Sequence, residues 1–131
     1  ASLTYRFARF FSKFRFMRWL GFRLVSPQWE KFSPETCADA AIAMGASKGY
    51  FQIWDALLGL KFNKKIKESI PVTIIFGDSD NTLPASTSQE KKLAPAHSRW
   101  VRLEKSGHAP MWDQSEKVVG LLLETINRAT K

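Results

Sequence analysis

Residues 71–76, Pro-Val-Thr-Ile-Ile-Phe, are β-branched and aromatic with almost no polar interruption, and Gly77 ends the run. A strand of that composition has no face fit for water, so it reads as one buried on both sides. Residues 99–103, Arg-Trp-Val-Arg-Leu, alternate polar with apolar and read as a second, less buried strand. Between them residues 84–94 hold a helical stretch, with Ser86, Thr87 or Ser88 as caps and Glu90, Lys91 and Lys92 facing water. Strand, helix and strand within about thirty residues form a βαβ unit, whose two strands run parallel. This half of the chain is therefore expected to be α/β.

The same pattern places chemistry. Asp80 follows the carboxyl end of the first strand within Gly77-Asp78-Ser79-Asp80. His108 follows the carboxyl end of the second within Ser106-Gly107-His108. Parallel neighbours lie roughly 4.8 Å apart, so carboxylate and imidazole share one sheet edge, where open α/β proteins hold their sites. A carboxylate beside an imidazole is the supporting pair of a nucleophile–histidine–acid triad. Asp78 reads as a turn or supporting residue, since Asp-Ser-Asp-Asn is good turn chemistry. Downstream, Asp113-Gln114-Ser115-Glu116 has capping-box spacing. The helix it opens carries an apolar stripe of Val118, Val119, Leu121, Leu122, Leu123 and Ile126.

From about residue 70 to 130 these motifs resemble the C-terminal end of an α/β-hydrolase. The apolar strand leading into Gly-x-x-Asp, here Gly77 to Asp80, is similar to that family's penultimate motif. The Gly107-His108 pair after the last strand, continued by Pro110-Met111-Trp112-Asp113, is similar to its final one. The resemblance implies Asp80 as the acid, His108 as the base, a small apolar or ester-like substrate and no cofactor. It also implies that residues 1–69 are a helical cap and residues 70–131 part of the core.

The nucleophile is the missing member. Gly45-Ala46-Ser47-Lys48-Gly49 matches Gly-x-Ser-x-Gly, and the order Ser47, Asp80, His108 suits the fold. That motif needs a buried strand before the serine, however, and residues 37–44 are alanine-rich with Ser33-Pro34 as a helix start. Thirty-three residues from Ser47 to Asp80 are also too few for the elements the fold requires there. Ser47 is thus rejected, and no glycine-rich oxyanion segment precedes it. The chain is expected to be a fragment that starts at Ala1 without an initiator methionine. The elbow, the oxyanion hole and further strands would lie upstream. An isolated pair of strands with so apolar a member would leave an uncovered sheet.

The first seventy residues are expected to hold helices at 5–22, 35–46 and 50–60, then a basic linker at 61–67. The chain carries a net charge of +8, and residues 1–24 contribute six basic residues and no acid. Over residues 5–14, Phe7, Phe10, Phe11 and Phe14 share one side, with Arg6, Arg9 and Lys13 on the other; the order fails at Arg15 and Arg18. Three readings stand: a cap helix whose apolar side packs inward while arginines reach solvent, contact with an anionic membrane surface, or contact with nucleic acid. The membrane or nucleic-acid reading would make this a non-enzymatic basic protein. One cysteine, Cys37, excludes an internal disulfide and suits a reducing cytoplasm. His97 reads as a loop residue. Two histidines and a cysteine, widely separated, suggest no metal site, and neither a signal peptide nor a transmembrane span is visible.

Overall fold

The computed structural model describes residues 4–59 and 64–129. Leu60 and the first part of the linker, together with residues 1–3 and 130–131, lie outside the described residues. The fold is mixed α/β and falls into two compact units. One comprises residues 1–21 and 30–64, the other Phe22–Trp29 and Lys65–Lys131. The division is thus not a single break at residue 69. Eight residues from the N-terminal half belong with the sheet.

In the first unit a 3-10 turn, Thr4–Phe7, leads into α1, Ala8–Phe11, and after a break into α2, Arg15–Phe22. The helix expected over 5–22 is therefore interrupted where its amphipathic order fails. Arg18 explains how the break is tolerated: its guanidinium donates to the carbonyls of Ser12, at 2.8 Å, and Lys13, at 3.3 Å, which the helix has left open. α3 spans Pro34–Ala46. Ser33 caps it by accepting the Thr36 N–H at 3.1 Å, with Pro34 in the first turn. Its buried positions are the small Cys37 and Ala38. α1 packs against α3 through Ala8, which is buried, and the Arg9–Asp39 bridge at 3.0 Å joins the two helices. A Cβ on Gly45 would lie 2.7 Å from the Tyr5 Cβ, so the glycine permits that approach. α4, Tyr50–Gly59, leaves Ile53, Trp54, Leu57 and Leu58 exposed.

One expectation is reversed in this unit. α1 buries small residues, Ala8 and the neighbouring Ser12, while Phe7, Phe10, Phe11 and Phe14 stay in solvent. The apolar side does not pack inward, because close approach to α3 is made by the residues with least bulk.

The second unit holds β1, Thr73–Gly77, and β2, Arg99–Leu103, paired in parallel with Thr73 opposite Arg99 and Gly77 opposite Leu103. The crossover is not one helix over 84–94. It is a single turn, α5 (Ala85–Ser88), and a 3-10 turn at Lys91–Leu93. Ser86, Thr87 and Ser88 lie within α5 instead of capping a longer helix. Their short hydroxylated side chains compete for backbone partners and favour helix poorly. β1 is half-buried along most of its length, not enclosed on both faces, since among the described residues the sheet has two strands.

α6, Pro110–Asp113, and α7, Ser115–Ala129, complete the unit. Val118 and Leu121 of α7 close a small core with Leu103, against which Ile75 and Val101 pack. The Thr73 and Thr125 hydroxyls meet at 2.6 Å. Arg99 pairs with Glu124 across the same join. The rest of the expected stripe, Val119, Leu122, Leu123 and Ile126, is exposed. The capping box is not formed by Asp113 either, because its carboxylate is taken up elsewhere, as described next.

Candidate functional site: the acid–histidine rim

Asp80 and His108 leave the carboxyl ends of β1 and β2 and meet there, His108 Nδ1 lying 3.1 Å from Asp80 Oδ2. The Asp80 side chain is 2% exposed and the His108 side chain 39%. Asp80 Oδ1 accepts the backbone N–H groups of Thr82, at 2.9 Å, and Leu83, at 2.8 Å. The buried carboxylate therefore has hydrogen-bond donors on both oxygens, which is what its removal from water requires. The Oδ1 bonds orient the group, and Oδ2 faces the imidazole. His108 Nε2, not engaged by Asp80, lies on a ring that reaches solvent.

The two loops are locked together by backbone. Asp78 N–H donates to the Leu103 carbonyl and Ser79 N–H to that of Ser106, each at 2.9 Å. A Cβ on Gly77 would fall 2.1 Å from the Ser106 oxygen and 2.3 Å from that of Gly107. Glycine is required there because the loops cross with no room for a side chain. Asp78 accepts the Ser79 hydroxyl at 2.8 Å, the main reason its carboxyl is held below the usual range; bonds from backbone N–H groups of the β2 turn lower it further. Lys105, φ 55°, turns the chain from β2 into the histidine loop. Ser106, fully buried, receives the Gln114 amide at 2.8 Å.

Sequence reasoning missed a second support. Val25 accepts the His108 backbone N–H at 2.7 Å. A Cβ on Gly107 would lie 2.1 Å from that same Val25 oxygen. Asp113 accepts the Gly107 N–H at 2.7 Å through Oδ2, and its Oδ1 accepts the hydroxyl of the buried Ser26. Gln28 closes the strut, donating its amide to the Lys105 carbonyl at 2.9 Å. Residues 22–29 thus form a backbone prop beneath the histidine. Nothing local in their sequence announces this, since Ser26 and Asp113 are 87 positions apart.

The other candidates fall outside the rim. Ser47 is exposed at the C-terminal end of α3 and is followed by α4, so it lacks the strand that a nucleophile elbow needs. Cys37 is fully buried in α3, and burial pushes its thiol up, away from thiolate. His97 Nε2 contacts the Ile70 carbonyl at 3.1 Å. Among the described residues no three metal-ligating side chains cluster, and no helix is long and apolar enough to cross a membrane. Compared with protein families, curated proteins and solved structures, the chain matches none.

Proposed function

We propose that Asp80 and His108 are the acid and base of a nucleophile–histidine–acid triad in an α/β-hydrolase-type enzyme. The enzyme would cleave an ester or related bond in a small, apolar substrate. The nucleophile and oxyanion hole would come from polypeptide beyond these 131 residues. The observation that carries this reading is the contact of His108 Nδ1 with an oriented, buried Asp80 at the carboxyl rim of two parallel strands. The half-buried β1 and the bare side of α7 support it, because both are surfaces that further strands would cover. The single cysteine supports a reducing, cytoplasmic setting.

In this mechanism neutral His108 carries its proton on Nδ1, donated to Asp80, and accepts the nucleophile's proton at Nε2. Asp80 stabilises the imidazolium so formed. His108 then returns the proton to the leaving group. No cofactor enters these steps.

The test has two parts. Two-bond proton–nitrogen NMR correlations should find neutral His108 as the Nδ1–H tautomer in the 131-residue chain. They should find it shifted to Nε2–H in Asp80→Asn, whose amide would donate to Nδ1. In the longer polypeptide, Asp80→Asn should lower kcat on p-nitrophenyl esters roughly 10⁴-fold, the scale of a triad left in the wrong tautomer. The 131-residue chain should turn these esters over poorly. Robust turnover by it, abolished by Ser47→Ala, would overturn the proposal.

A further inference from the structure

The first unit displays its largest side chains. Phe10 and Phe16 are 56% and 62% exposed, and Phe7, Phe11, Phe14 and Leu20 are exposed with them. The four phenylalanines of the α1 region form one patch, each ring touching the next edge-on: Phe7 on Phe11, Phe11 on Phe10, Phe10 on Phe14. Exposed aromatic clusters of this kind mark a surface that something covers. The opposite side of α1 is already occupied, by Ala8 against α3 and by the Arg9–Asp39 bridge.

Charge selects the partner. Residues 1–21 contain five basic residues and no acid. Arg9 and Arg18 serve the unit internally, on Asp39 and on the open carbonyls of the helix break. Arg6 and Lys13 are exposed and adjoin Phe7 and Phe14 along the chain, at the edge of the side that carries the basic residues. A cluster of large apolar rings flanked by cations fits an interface that is anionic at its surface and apolar just beneath. Nucleic acid fits less well. Bases stack on open ring faces along a basic track, whereas the Phe7, Phe10, Phe11 and Phe14 rings lie edge-on against one another, and the flexible apolar side chains of Met17 and Leu20 are exposed as well.

We infer that the Phe7–Phe14 face of the first unit docks on an anionic lipid surface, the phenylalanines entering the headgroup–acyl boundary and Arg6 and Lys13 meeting the lipid charge. This goes beyond the hydrolase reading and does not depend on it.

Co-sedimentation of the full chain with phosphatidylcholine vesicles, with and without phosphatidylserine, tests it. The chain should pellet with the anionic vesicles, less so at high salt, and hardly with neutral ones. Phe10→Ser and Phe14→Ser should each weaken the partition roughly tenfold, the effect of withdrawing a partly inserted ring. Arg6→Gln and Lys13→Gln should each weaken it roughly fivefold. All four positions are exposed, so the variants should keep the wild-type circular dichroism, and Leu122→Ser on α7 should bind as wild type. Equal binding to neutral vesicles, variants that bind unchanged, or tighter retention of duplex DNA than of anionic vesicles would overturn the inference.

Discussion

Around His108 polar groups are buried; around Phe10 apolar groups are bare. At the sheet rim, Ser26, Asp80 and Ser106 are withdrawn from water, and each has its hydrogen-bond partners supplied by the two loops, the 22–29 segment or α6 and its neighbours. Along residues 7–14, four phenylalanines stay in solvent while an alanine makes the packing contact. Each region departs from the ordinary partition of side chains, in opposite senses. A buried, satisfied polar network fixes geometry, and a bare aromatic cluster awaits a covering surface.

The contrast can be broken where it is sharpest. Gly107→Ala sets a Cβ against the Val25 carbonyl, where no flexible side chain can yield. It should destabilise the second unit by about 3 kcal/mol and disturb the His108 amide resonance, as urea denaturation followed by NMR would read. A smaller effect should separate two neighbours on α7. Leu121→Ala removes a member of the Leu103 core and should cost about 2 kcal/mol. Leu122→Ser, on the exposed side, should change the urea midpoint little. If both cost the same, the bare stripe is not bare in solution.

The smallest effect concerns pH. The Asp78 carboxyl is held low, first by Ser79 and then by backbone N–H groups. A carboxylate whose folded pKa lies below its unfolded value stabilises the fold above the ordinary range near 4 and stops doing so as pH falls through the folded value. Asp78 is exposed, so solvent screens the contribution to a fraction of about 1 kcal/mol. Asp78→Asn should therefore lower stability slightly at neutral pH and flatten the loss between neutral and acid, as paired urea titrations would measure.

The rim was readable in the sequence because its signals are local. An apolar run ending in Gly77 and an alternating run ending at Leu103 fix two parallel strands, and Gly77 and Gly107 prove to be places where a Cβ has no room. The prop beneath His108 was not readable, because Val25 and Ser26 act across more than eighty residues and no periodicity links them to the histidine loop. Asp113 misleads for a related reason. It stands at cap spacing, yet the Gly107 N–H and the Ser26 hydroxyl claim its carboxylate. On α1 the hydrophobic period finds the correct side of the helix and the wrong destination. Periodicity weighs bulk, whereas the contact with α3 depends on the absence of bulk at Ala8. The crossover failed through composition, since Ala85-Ser86-Thr87-Ser88 sustains one turn and no more.

The chain path through residues 22–29 has a practical consequence for dissecting this protein. The polypeptide leaves the helical unit, braces the histidine turn and then goes back, so no single cut yields both parts whole. An excised sheet module beginning near Lys65 would forfeit the carbonyl that holds the His108 amide and the hydroxyl that shares Asp113. A domain boundary drawn by position along the chain would sever the histidine from its brace; one drawn through space would have to carry that octapeptide along.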